Sequence, residues 1–505
     1  MSVFYKGMDI SSLLERLDHN MQVLDENQNP VEVFDLLEKY HVNSIRLRIW
    51  NQPELVPESG GYCNLADTIK MAKMIKQHNM HFVLDFHYSD YWADPGQQRK
   101  PAAWKELGYE ELKAAVHDYT AMVLRSLEAE NCLPDMVQVG NEIRSGMLFP
   151  DGEVPNYKQL AELINAGITA VREVSQNIEV MIHLDQGGRF YYLKEWFDAV
   201  FDAGMLPIDC IGISFYSFWH GTFMDLKNSM QQLVERYHLP VYVVETAHPW
   251  RTLPEGHISA EQMKTAGFPA GIEEQKKSLD LVFHIVDSIP DDMGRGVYYW
   301  EPVCVPKDTF DSWAQNMGML DDKGKILPSF EVYRDFERGH VLCENLDSYM
   351  EELYLPDPDL EIPTGTNLIP NGDFSNGIED WWCEKSPDSL SIQVENQEIY
   401  LNSPQNFHYD LFKDVFVEKS GKYQLLVDYR GTNTTGVIIK MYIKRIGCNG
   451  EELMTKEIFP SDVDWVTHIM DNLELERGTI RVGIVITAPP VFGKIRNMRL
   501  YKLEE

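Results

Sequence analysis

Through the first 335 or so residues of this chain, short apolar runs alternate with stretches of helical periodicity. That alternation restricts the fold more than any other feature. The apolar runs fall at 5–10, 44–50, 81–86, 136–140, 179–184, 210–215, 241–244 and 296–300. Helical spacing lies between them, as in 65–79, 109–129 and 156–175. Eight buried-type strands alternating with helices predict an α/β chain whose parallel sheet closes into a (β/α)₈ TIM barrel. An open doubly wound sheet is the alternative, but the first run lacks the Gly-rich phosphate turn such sheets use.

The barrel does not account for the whole chain, since 505 residues exceed one ordinary core. Residues 351–363 are acidic and contain Pro356, Pro358 and Pro363, the composition of an extended, solvated connection. Beyond Asn367 the texture changes to short β-rich runs at 423–429, 436–443, 480–487 and 498–503. These predict an all-β sandwich or jelly roll. The expected division is a barrel at 1–345, a linker at 346–366 and a sandwich at 367–505.

A formal net charge of −34 argues against nucleic acid or an anionic membrane as partner and favours an uncharged substrate. The seven cysteines are scattered without a CxxC pair, so neither a zinc site nor a disulfide framework is expected. No segment reaches the roughly 18 apolar residues that a membrane span needs. The N-terminus has no signal-peptide pattern, which implies a cytoplasmic protein if Met1 is the native start. Secretion after removal of a signal is the alternative.

Two of the apolar runs stop on a glutamate: Val139-Gly-Asn-Glu142 and Val243-Val-Glu245. A carboxylate at the end of a buried strand is costly unless paired or used. In a barrel both strands open at the same mouth, so Glu142 and Glu245 are candidates for the carboxylate pair of a glycosidase. Spacing alone leaves retention (about 5–5.5 Å between carboxyls) and inversion (about 6.5–9.5 Å) both open. Arg46 and Arg48 share one face of the second strand, and an arginine inside a barrel needs a carboxylate partner. Asn141, His87 and Tyr216 lie near strand ends, where each could bind a hydroxyl or steer a carboxylate. Trp92, Trp219, Trp250, Trp300 and Trp313 could present aromatic faces to a pyranose, with Trp300 the expected floor of the cleft.

Longer motifs carry a resemblance. Lys6-Gly-Met-Asp9, Ser44-Ile-Arg-Leu-Arg-Ile-Trp50, Asp85-Phe-His-Tyr-Ser-Asp-Tyr-Trp-Ala-Asp-Pro-Gly96 and Gln138-Val-Gly-Asn-Glu-Ile143 occur in that order. Trp219-His-Gly221, Val243-Val-Glu-Thr-Ala-His-Pro-Trp250 and Tyr299-Trp-Glu-Pro302 follow. Together they resemble the arabinogalactan endo-β-1,4-galactanases of glycoside hydrolase family 53, from about residue 3 to 336. The resemblance implies a retaining double displacement on β-1,4-galactan, the pectin side chain, or on galacto-oligosaccharides. It also implies that Glu142 is the general acid/base and Glu245 the nucleophile. It adds Asp85 and His220 to the expected substrate-binding set of Arg46, His87, Trp92, Asn141, Tyr216, Trp219, Trp250 and Trp300. The chain departs from the family at Ser217, where a proline is usual. Many bacterial relatives carry a calcium site between the loops after strands seven and eight; here 251–270 has few carboxylates and 303–311 is short, so that metal is not predicted, and the resemblance implies no cofactor.

The second domain opens with Asn367-Leu-Ile-Pro-Asn-Gly-Asp-Phe-Ser-Asn-Gly-Ile-Glu-Asp-Trp381, similar to the opening of jelly-roll carbohydrate-binding modules. Arg496 replaces an acidic residue common in their last strand. Trp381, Trp382 and Tyr409 are its possible sugar contacts. Competing readings for the whole chain are a retaining β-mannanase or β-glucanase on the same barrel, and a non-catalytic glycan-binding protein.

Overall fold

The computed structural model describes residues 2–253, 258, 262–263, 266–305, 312–353, 366–378, 381–386, 391–402, 407–431, 438–445, 452–458, 465–488 and 492–503. The chain divides into two compact units, 1–346 and 347–505. The start of the expected linker is a helix, Leu346–Glu352. Residues 354–365, with the three linker prolines, lie outside the described set.

The first unit is a closed barrel of eight parallel strands: β1 (Tyr5–Asp9), β2 (Ser44–Ile49), β3 (His81–Phe86), β4 (Met136–Val139), β5 (Glu179–Leu184), β6 (Cys210–Ser214), β7 (Val241–Thr246) and β8 (Gly294–Trp300). Each pairs with its sequence neighbours, and β8 closes on β1 through Tyr5↔Gly296 to Asp9↔Trp300. Helices such as Leu65–Gln77, Tyr109–Ala129 and Tyr157–Val174 lie between strands. The first is capped by Asn64, whose side chain accepts from the Asp67 amide.

Alternation along each strand sorts its side chains. On β2, Ile45, Leu47 and Ile49 face outward while Ser44, Arg46 and Arg48 project inside, and all six are buried. The lower interior is packed by Val83, Met136, Met181, Cys210, Tyr242, Val244 and Tyr298. Gly7 makes room for the Tyr298 ring: a Cβ there would lie 2.2 Å from its Cδ1. Above this layer the interior turns polar, towards the C-terminal ends of the strands.

Period-two alternation fails on β7, to functional effect. Tyr242 and Val244 already point inward, so regular pleating would turn Glu245 outward. The pairing with β6 slips between Ile213↔Val243 and Ser214↔Glu245, and that with β8 slips over the same residues. This bulge re-aims Glu245 into the barrel.

The second unit is a sandwich. One sheet orders β9 (Trp382–Ser386), β12 (Phe407–Val417), β17 (Gly478–Ala488), β14 (Ile438–Arg445) and β15 (Glu452–Glu457). The other orders β10 (Ser391–Glu395), β11 (Glu398–Asn402), β18 (Phe492–Lys502), β13 (Gly421–Gly431) and β16 (Val466–Leu475). Both are antiparallel, and Leu411, Ile443 and Ile484 of one share a core with Leu401, Val427 and Ile495 of the other. Among the described residues, no helix is long and apolar enough to cross a membrane.

Candidate active site

A cleft of about 450 Å³ opens at the C-terminal ends of the barrel strands, with Glu142 and Glu245 both in its wall. Arg46 lies beneath it, 1% exposed, and organises the floor. Its Nη1 contacts Asp9 Oδ2 at 2.8 Å and Glu245 Oε1 at 2.9 Å. Its Nη2 donates to Asp85 Oδ2 (3.0 Å) and Asn141 Oδ1 (2.9 Å), and its Nε donates to Gln138 Oε1 (3.1 Å). A buried guanidinium is tolerable because its donors are satisfied by this ring of acceptors.

Glu245 is therefore held at both oxygens. Arg46 binds Oε1, and the Tyr216 hydroxyl donates to Oε2 at 3.1 Å. Burial pushes its carboxyl up to about 7, with Asp9 and Asp85 adding repulsion, while Arg46 and Tyr216 pull it down.

Glu142 reaches the cleft by a different backbone device. β4 ends at Val139, Gly140 takes φ 89° and Glu142 itself takes φ 45°, in the left-handed region. Burial holds its carboxyl well above the usual carboxylate range, and the negative charges of Glu245 and Asp185 add to that. The Ser214 hydroxyl donates to its Oε1 at 2.5 Å, and Arg144, paired with Asp185 at 2.8 Å, is the cation that bears on it from beside the cleft. Burial raises the pKa of both carboxyls, but Arg46 and Tyr216 pull Glu245 back down to about 7, while Glu142 stays well above the usual carboxylate range.

The remaining expected residues sort by position. Arg46, His87, Trp92, Asn141, Tyr216, Trp219, His220 and Trp300 all line the cleft. His87 Nε2 contacts Asp85 Oδ2 at 3.0 Å, and Asn141 Nδ2 donates to the Ala93 carbonyl at 2.8 Å. His220 is buried, which lowers its pKa to about 4, and it sits between the Tyr216 amide and the Ser214 carbonyl. Trp92, Trp300 and Trp313 form a continuous aromatic wall, with ring centroids 5.8 Å and then 4.9 Å apart.

Two expected residues stand off the cleft. Asp85 is fully buried beneath Arg46 and His87, so it supports the floor without lining it. Trp250 is carried away where its amide bonds the Asn316 carbonyl, and Arg251 covers its ring at 4.4 Å. Ser217 is buried in the strand-six loop. Parts of the 251–270 and 303–311 stretches lie outside the described residues, and among the described ones no His/Cys/Asp/Glu group has a metal-holding arrangement.

Arg48, expected with Arg46 to face the interior and need a carboxylate partner, lines the cleft. Residues not foreseen as site members complete it: Asp9 and Asp185 line the cleft, and Gln138, His183 and Ser214 lie buried beneath it. Arg48 pairs with Glu301 at 2.6 Å and lies over the Trp92 ring at 4.2 Å. The available signal for the buried set was a single polar residue near the C-terminal end of each of three largely apolar strands.

In the second unit, Trp381 and Tyr409 belong to the core. Trp382, the next residue on, is 66% exposed. Arg496 lies over the Trp465 ring at 4.0 Å.

Comparison with known proteins agrees with this geometry. The profile described as Glycosyl hydrolase family 53 matches residues 5–333. A Niallia circulans protein described as "Uncharacterized protein in bgaB 5'region" is 43% identical over 66% of this chain and 93% of its own length. The arabinogalactan endo-beta-1,4-galactanase A of Emericella nidulans is 33% identical over 66% and 94%. Among solved structures, the Ignisphaera aggregans GH53 catalytic domain superposes with a TM-score of 0.62 at 35% identity, covering 66% of this chain and 95% of that one. The barrel, the carboxylate pair at its mouth and these likenesses together place the chain in glycoside hydrolase family 53.

Proposed function

We propose that the protein is a retaining endo-β-1,4-galactanase, hydrolysing β-1,4-galactosidic bonds in galactan or arabinogalactan side chains of pectin, or in galacto-oligosaccharides. The observation that carries this is the unequal pair: Glu245 gripped by Arg46 and Tyr216, Glu142 buried with a hydroxyl donor and held well above the usual carboxylate range. The relatives named as endo-β-1,4-galactanases support the choice of galactan.

In this reading Glu245 attacks the anomeric carbon while Glu142 gives its proton to the departing glycosidic oxygen. The bond to the leaving sugar breaks and a galactosyl ester of Glu245 forms. Glu142, now a carboxylate, takes a proton from water, whose oxygen attacks the same carbon and frees Glu245. Once Glu245 is esterified its charge is gone, which removes the main repulsion raising the Glu142 pKa and suits it to both roles. Asn141, His87 and His220 offer polar contacts to sugar hydroxyls, and Trp92, Trp219 and Trp300 offer apolar faces. The sandwich serves as a galactan-binding module, with the exposed Trp382 its best-placed contact.

Incubation with potato galactan, mannan and β-glucan, following reducing ends and product lengths, tests the substrate. Galactan is the expected substrate; faster release from mannan or β-glucan overturns it, and release from none supports a binding protein. Glu245→Ala is expected to abolish turnover, with azide giving an inverted glycosyl azide; near-normal activity overturns the nucleophile assignment.

A further inference from the structure

Behind Glu142 lies a chain of buried polar groups that its acid/base reading does not use. Ser214 Oγ sits 2.5 Å from Glu142 Oε1 and 2.8 Å from His183 Nε2. His183, fully buried on β5, has its Nδ1 3.0 Å from Gln138 Nε2 and also 3.0 Å from Asn141 Oδ1. Gln138 gives the chain its polarity. Its Oε1 accepts from Arg46 Nε and its Nε2 donates to Asp85 Oδ1 at 2.6 Å, so the amide cannot be reversed without facing donor to donor and acceptor to acceptor.

Directions then follow from both ends. An ionised Glu142 can only accept, so Ser214 donates its single proton there. Ser214 Oγ must then accept from His183, which requires the Nε2–H tautomer. That tautomer leaves Nδ1 a lone pair, filled by the second amide hydrogen of Gln138, while the 3.0 Å approach of Asn141 Oδ1 is then a contact between two acceptors, each satisfied by another donor, Gln138 Nε2 and Arg46 Nη2. The opposite tautomer, donating from Nδ1 to Asn141, takes the Ser214 proton for His183: with Glu142 ionised it leaves a carboxylate oxygen facing an oxygen lone pair at 2.5 Å, with Glu142 protonated it demands the proton on Oε1, and in both states it sets Nδ1–H against the Gln138 amide hydrogen at 3.0 Å.

We propose that His183 is a positioning residue for the acid/base. As a neutral Nε2–H imidazole it fixes the Ser214 hydroxyl towards Glu142 Oε1. That oxygen is thereby kept an acceptor, and the transferable proton resides on Oε2. The assignment rests on the reading of Glu142 as acid/base.

A buried neutral imidazole is consistent with its surroundings: burial, then the charge of Arg46, hold His183 well below the ordinary histidine range. The charged and titratable groups facing it are Arg46 of β2, His87 beyond β3 and His220 beyond β6. Glu142 is faced by Glu245 of β7, Asp185 beyond β5, Asp94, Arg144 and Tyr216. Of the groups that bear on Glu142 itself, the Ser214 bond acts against its proton, while burial and the neighbouring carboxylates act for it.

The test is the alkaline limb of kcat/KM on galacto-oligosaccharide, where loss of the Glu142 proton ends activity. Ser214→Ala is expected to move that limb up by about one pH unit, since a hydrogen bond to a charged group is lost. Ser214→Thr keeps the hydroxyl and restores the limb. His183→Asn moves it the same way, but adds nothing in the Ser214→Ala background. An unmoved limb in Ser214→Ala, or an equal effect of His183→Asn with and without the hydroxyl, overturns the proposal. Neutron diffraction of the wild-type protein at alkaline pH requires no variant to fold. Deuterium on His183 Nε2, with the Ser214 deuteron aimed at Glu142, is the expected result; deuterium on Nδ1 alone overturns it. This measurement reads the chain whatever Glu142 does, so its failure is distinct from failure of the acid/base reading, which would show as near-normal activity of Glu142→Gln.

Discussion

A single guanidinium sets the electrostatics of the site. Arg46 is the common neighbour of Asp9, Asp85 and Glu245, three carboxyls that could not share a dry interior without it. Arg46→Ala is expected to cost about 3–5 kcal/mol of stability, measured by denaturant unfolding of the barrel, because it leaves buried charge unpaired. Tyr216→Phe is gentler and reads the chemistry. It removes one donor to Glu245, so the carboxylate form is less favoured and its pKa rises above about 7. A nucleophile must be ionised, so the acidic limb of kcat/KM is expected to move to higher pH by about one unit, with little change on the alkaline side. An unmoved acidic limb would show that Glu245 does not control it. At this scale the sequence was partly legible. Glutamates, Arg46 and the aromatic residues advertise themselves by type and place. His183 and Gln138 do not, because a lone polar residue in an apolar strand reads as a satisfied core group until its partners on other strands are known.

At the scale of elements, the eight barrel strands were readable because each is largely buried on both faces and so is predominantly apolar, with buried polar residues mostly at inward positions near the site. What escaped was the bulge on β7. Two-residue alternation turns Glu245 out of the barrel, and only pairing with β6 and β8 reverses that. In the sandwich, β13 and β17 stood out, but β12 and β16 did not, because Lys413, Asp414 and Asp471 interrupt their apolar pattern. The core of the barrel offers its own test. Gly7 on β1 admits the Tyr298 ring from β8, and Gly7→Ala forces one of them to move. A loss of about 1–3 kcal/mol in urea unfolding is expected, as for other overpacked cores, with KM for galacto-oligosaccharide unchanged because this layer lies below the site.

At the scale of the molecule, two units with separate cores imply two separable tasks. Residues 1–346 produced alone are expected to fold cooperatively and to match the full chain in kcat/KM on soluble galactotetraose. On insoluble galactan the shortened protein is expected to bind less, and Trp382→Ala in the full chain to lose part of the same retention in a pull-down assay. Equal retention by both proteins would remove the binding role from the sandwich. A net charge of −34 further predicts that galactan binding changes little with added salt, since the polymer offers no charge to screen.

The left-handed backbone at Glu142 carries a consequence for how this protein evolves. A glutamate there is held in a conformation that asparagine or glycine adopts more readily, and it also keeps a carboxyl out of water. Selection for durability alone would remove it. Glu142→Asn is therefore expected to melt at a higher temperature than the wild type at neutral pH while losing its turnover. A lineage released from the need to cut its glycan would drift first at this position, and a thermostable, inert descendant would be the mark of that release.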